Sequence, residues 1–61
     1  MKIQFNDIDW DAKNKTNLPK TTTLTSDDFE DEEDVMLRGA DLLSDTFGFC
    51  VNNFTFNILE K

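Results

Sequence analysis

Residues 49–59, FCVNNFTFNIL, are the stretch on which the fold turns. Phe49 and Val51 share one parity, Phe54, Phe56 and Ile58 share the other, and Asn52-Asn53 marks the change. A regular strand sends residues of opposite parity to opposite faces. Either a one-residue bulge at the Asn pair returns all five apolar side chains to one face, or the pair makes a tight turn between two short strands. One bent strand is the preferred reading, and a C-terminal hairpin is the alternative.

The same device stands at the other end of the chain. In residues 1–10, Ile3 and Phe5 have one parity, Ile8 and Trp10 the other, with Asn6-Asp7 between them. A bulge there puts all four on the core side. Residues 11–17, DAKNKTN, read as a polar loop. Residues 18–25, LPKTTTLT, read as a second strand, with Leu18, Thr22 and Leu24 on one side and Thr21, Thr23 and Thr25 on the other. Pro19 cannot donate to a ladder and belongs at its start or on an edge. The short connection predicts a loose antiparallel hairpin.

Between these strands lies a helix, expected over about residues 28–46. Ser26 or Asp27 is the N-cap candidate, and Asp27 as N-cap would put Glu30 at N3. Met36, Ala40, Leu43 and Phe47 recur as one apolar stripe, widened by Val35 and Leu42. Gly48 suits the left-handed residue that ends a helix. Gly39, mid-helix, costs about 1 kcal/mol against alanine and points to close packing or a weak helix. The predicted fold class is α+β: a small β-β-α-β domain whose antiparallel three-stranded sheet (four with the hairpin) carries one helix on one face. The Thr-rich side is the candidate for the open face.

In outline the chain resembles short acidic open reading frames of bacteria and their phages or plasmids. The pieces that carry the resemblance are Trp10-Asp11, Leu18-Pro19, Leu43-Ser44-Asp45 and Phe47-Gly48-Phe49-Cys50-Val51. Phe47 stands where that class has Tyr, so a hydroxyl hydrogen bond is missing. The resemblance implies a shared fold and a bacterial or mobile-element setting, and it carries no catalytic residues across.

Sixty-one residues make at most one domain, and a chain this short buries only about 60% of its unfolded surface. Small chains compensate with disulfides, metals or association. Cys50 is the only cysteine and there is no histidine, so an internal disulfide and an ordinary zinc site are excluded. Association remains, and a homodimer is expected. No run of eighteen apolar residues occurs, and the start MKIQFNDIDW lacks a signal-peptide core, so the expectation is a cytoplasmic protein away from membranes. With neither His nor Tyr and a single Arg, no triad or phosphate loop can be assembled, so the chain reads as no enzyme, with no cofactor and no metal. Cys50 reads as an inert, buried or half-buried thiol, Trp10 as a core or rim aromatic, and the Phe set as core.

Charge is the one outlying property. The net charge is −7, and residues 27–34, DDFEDEED, hold seven of the thirteen acids and no base; the other 53 residues are neutral in sum. Acids in a first helical turn complement the helix dipole by about 0.3–1 kcal/mol each. That accounts for two or three of them, while like charges four apart, Asp28 with Glu32 and Glu30 with Asp34, repel. The candidate partner-binding residues are therefore Asp27, Asp28, Glu30, Asp31, Glu32, Glu33 and Asp34. On a helix these eight positions span about 12 Å, and duplex DNA carries one charge per about 1.7 Å. A protein partner with a basic surface is expected, nucleic-acid mimicry being one form of it, while direct nucleic-acid binding is disfavoured. The spacing lacks the central glycine and alternation of an EF-hand loop. The alternative is a self-associating protein whose acids serve solubility only.

Overall fold

The computed structural model describes residues 1–12 and 17–61; the basic loop positions Lys13 and Lys15 lie outside the described residues. Along the chain the elements are β1 (Lys2–Asp11), β2 (Thr22–Thr25), α1 (Glu32–Phe47) and β3 (Cys50–Glu60). The three strands form an antiparallel sheet in the order β2-β1-β3, so β1 is central. This is a small α+β domain.

Both parity changes are bulges. Between the pairs Asn6↔Thr55 and Asp9↔Asn53, β1 advances by one residue more than β3. Between Asp9↔Asn53 and Trp10↔Val51, β3 advances by one more than β1. The two irregularities cancel, so Phe5 faces Phe56 and Trp10 faces Val51 across the ladder. A single unmatched bulge would have turned one strand's apolar residues away from its partner's. The β1 bulge contains Asp7 in the left-handed region, φ 49°, a conformation that Asp tolerates better than most residues. At the β3 bulge, the Asn53 Oδ1 accepts the Phe54 N–H at 2.9 Å. β3 is thus one continuous bent strand, and the hairpin alternative is set aside.

Several expected boundaries move. β2 keeps only four of the eight residues from 18 to 25. Leu18 and Pro19 precede it, and the Pro19 carbonyl accepts the Trp10 indole N–H at 2.8 Å. That bond ties down a Trp10 ring that is buried, which settles its core-or-rim reading as core. Phe49, expected on the core face, lies outside β3 and is 45% exposed, because the strand begins only at Cys50. Cys50 is exposed rather than half-buried.

The helix faces the sheet through Val35, Gly39 and Leu43, all buried. Met36, expected in the stripe, is 64% exposed. A stripe read from apolar residues alone skips glycine, and here Gly39 is the closest point of approach. A Cβ on Gly39 would sit 2.8 Å from Phe54 Cζ and 3.0 Å from Phe5 Cε1. Gly48 ends the helix as expected, with φ 82° and its N–H on the Ser44 carbonyl at 2.7 Å. On the side of the sheet away from α1, the exposed residues include Thr23, Thr25, Thr55 and Asn57, so the open face is polar.

Candidate functional site

The acidic block does not form the helix that its sequence suggests. Helix α1 begins four residues later than expected, at Glu32, with Asp31 as N-cap. The Asp31 carboxylate accepts the Asp34 N–H at 2.9 Å, and the Asp34 carboxylate reaches back to accept the Glu30 N–H at 3.1 Å. This is a reciprocal cap built on acids 31 and 34 rather than on 27 and 30. Phe29 explains the displacement. It lies inside the acidic run and is buried in the core, so the chain must turn it inward before the helix starts.

Arg38 holds this turn closed. Its guanidinium meets Asp34 through two contacts of 2.6 Å, donates a further hydrogen bond to the Asp28 carbonyl, and lies 5.4 Å from the centre of the Phe29 ring. A two-pronged guanidinium–carboxylate pair is among the stronger ionic contacts. The hydrogen bonds from Arg38 and then from the Glu30 N–H hold the Asp34 carboxyl down at about 2. The carboxylate in turn raises the Arg38 pKa. Ser26 completes the turn, its hydroxyl accepting the Asp28 N–H at 3.1 Å. Its backbone is bound to Met1, N–H to carbonyl and ammonium to carbonyl, both at 3.0 Å.

The seven candidate residues thus separate. Asp31 caps the helix, and Asp34 is consumed by the cap and by Arg38. Asp28 lies on the Arg38 side, lining a small depression with Ser26 and Leu42. The pairs expected to repel as helical neighbours, Asp28 with Glu32 and Glu30 with Asp34, are not neighbours on a helix, because Asp28 and Glu30 precede it. Asp27, Glu30, Asp31, Glu32 and Glu33 line a depression of about 670 Å³ at the end of the sheet where β1 starts and β3 ends, with Phe29, Met1 and Lys61 completing its wall. Carboxylates focused by a concave wall raise the local concentration of cations. Lys61 is the one basic side chain described in that wall. What the arrangement can do chemically is hold a guanidinium or ammonium group by charge.

Sequence reasoning missed Phe29 and Arg38 as parts of this site. The signal was present: one aromatic interrupts DDFEDEED, and the only arginine follows Asp34 by one helical turn. Among the described residues no group of three or more Cys, Asp or Glu is placed to hold a metal ion. No described helix is long and apolar enough to cross a membrane. No protein-family model, curated protein or solved structure matches the chain.

Proposed function

We propose that this chain is a non-enzymatic protein-interaction module whose acidic depression receives a basic segment of a partner protein. One observation carries the reading: five acidic residues line a single concave site, and helix capping employs only one of them. Capping and solubility would be served equally well by scattered acids. The proposed setting is the cytoplasm of a bacterium or its mobile elements, in an accessory or inhibitory role. Mimicry of a nucleic-acid backbone draws less support than the sequence suggested, since the charges curve round a depression instead of running along a rigid helix.

The test is capture from a bacterial lysate, followed by washes of rising salt. Screening acts within about 8–10 Å at physiological ionic strength, so the partner is expected to elute early. The variant Asp27→Asn, Glu30→Gln, Glu32→Gln, Glu33→Gln keeps the Asp31 cap and the Asp34–Arg38 pair and is expected to capture nothing. A partner that stays bound at high salt and to this variant would overturn the reading.

A further inference from the structure

Residues 26–31 form a strap that belongs to no strand or helix and carries the acids Asp27, Asp28, Glu30 and Asp31. Glu32 and Glu33 follow at once in the first turn of α1. Like charges this close repel, so the strap has an electrostatic reason to leave the helix. A loop that is loose before binding must be ordered during it, at a cost to affinity. The strap must therefore be held if its acids are to form one wall with those of the helix.

Arg38 is placed to hold it. The polar contacts described for residues 28–30 all involve side chains: the Asp28 N–H donates to the Ser26 hydroxyl, the Asp28 carbonyl accepts from Arg38, and the Glu30 N–H donates to Asp34. The last two lead to a single guanidinium, because Arg38 binds Asp34 through two contacts of 2.6 Å. Phe29, between the two tethered residues, is buried and its ring centre lies 5.4 Å from the guanidinium.

Arg38 itself stands outside the wall. Asp27, Glu30, Glu32 and Glu33 line the large depression, whereas Arg38 lines the small one with Ser26 and Asp28. Phe29 is common to both, so its ring stands between the guanidinium and the large depression. Two effects of Arg38 on a basic ligand are then opposed in sign. As a nearby cation it repels the ligand; as a tether it keeps the acids where the ligand meets them.

We propose that Arg38 is the positioning residue of the acidic depression, fixing the strap so that Asp27 and Glu30 stand ready beside Glu32 and Glu33 for a basic segment. This role rests on the functional reading above and adds a residue outside the site that sets its affinity. By charge alone, removing a cation strengthens the binding of a cationic ligand. Where positioning dominates, the same removal weakens it.

Isothermal titration of the full chain with a hexalysine peptide at low salt reads the sign. Arg38→Gln is expected to bind the peptide about tenfold more weakly than the parent, despite its more negative net charge. Arg38→Lys keeps the charge without the fork that reaches both Asp34 and the Asp28 carbonyl, and should recover little of the loss. Lys20→Gln removes an exposed cation from the other end of the sheet, where the Lys20 carbonyl accepts the Ile8 N–H, and should leave affinity equal or slightly higher. In the free protein, NMR order parameters of residues 27–31 should fall in Arg38→Gln while those of β1 keep their parent values. Arg38 is exposed, so circular dichroism should be unchanged. Should Arg38→Gln misfold, Arg38→Lys alone carries the test. An affinity that the Arg38 variants leave unchanged or raise overturns the proposal, as do unchanged order parameters in the strap. If the variant Asp27→Asn, Glu30→Gln, Glu32→Gln, Glu33→Gln binds hexalysine as well as the parent does, the functional reading fails and the positioning role fails with it.

Discussion

Strands β1 and β3 carry almost the same message in sequence and receive different treatment in the fold. Each has apolar residues of two parities joined through an Asn-containing pair, and each is bent by a bulge so that those residues share a face. Yet Ile3, Phe5, Ile8 and Trp10 are buried, while Val51, Phe54, Phe56 and Ile58 remain half-buried. The difference is place in the sheet. A central strand has neighbours on both sides as well as a helix above, whereas an edge strand lacks one of them. Hydrophobic pattern therefore states which face of a strand turns inward, and topology decides how much water is removed from it.

The widest break in this comparison comes from truncating paired aromatics. Phe5 and Phe56 oppose each other across the ladder, one fully buried and one half-buried. Phe5→Ala should lose about 3–5 kcal/mol, since it opens a cavity where nothing can relax. Phe56→Ala should lose roughly half as much, because part of its ring is already in water. Urea unfolding checks both. Equal losses would mean that β3 is as well covered as β1 and that position in the sheet is irrelevant.

A subtler probe is Gly39, which lies against an aromatic from each strand. An added methyl would meet Phe54 Cζ at 2.8 Å and Phe5 Cε1 at 3.0 Å. Alanine gains about 1 kcal/mol in helix propensity, and overpacking a core costs about 1–3 kcal/mol. The Phe5 ring is locked, and Phe54 stands edge-on to it with centroids 5.5 Å apart, so only the Phe54 side can give. A net loss of about 1 kcal/mol in Gly39→Ala, by thermal unfolding, is the expected result. If the variant is more stable than the parent, Phe54 moves aside freely and the edge strand is looser than its geometry implies.

Much of this fold is legible in the residues, and the failures share a cause. Both bulges and the glycine cap follow from local chemistry that the sequence spells out, while at Gly39 the residues alone leave close packing and a weak helix both open. Where reading failed, a tertiary demand outweighed a local one. The helix start moved from the region of Asp28 to Glu32 because burying Phe29 outweighs continuing a run of helix-tolerant acids. Met36 left the apolar stripe because the helix rolled to bring Gly39 down on two aromatic rings. The seven acids were visible as a block. Their division into a cap, an arginine partner and a depression was not, since it depends on where Met1 and Lys61 arrive in space.

The two bulges supply the finest version of the comparison, because they use opposite means to the same end. In β1 the distortion is held in the backbone, at Asp7 with φ 49°; in β3 no residue has positive φ, and a side chain, Asn53 Oδ1, takes up the Phe54 N–H. Substitutions should therefore act with opposite sign. Asp7→Gly relieves a left-handed strain at the cost of greater freedom when unfolded, for a net gain of about 0.5 kcal/mol. Asn53→Ala removes an acceptor from an exposed site and should cost about 0.5–1 kcal/mol. Asn53→Asp keeps the oxygen and should lose less than Asn53→Ala, which separates loss of the hydrogen bond from a general effect of the mutation. Matching signs at the two positions would show that the bulges are equivalent and that the edge strand needs no side-chain support. Opposite signs would show that the central strand is bent by its backbone and the edge strand by an asparagine, which is the arrangement expected where a missing neighbour leaves the ladder short of partners.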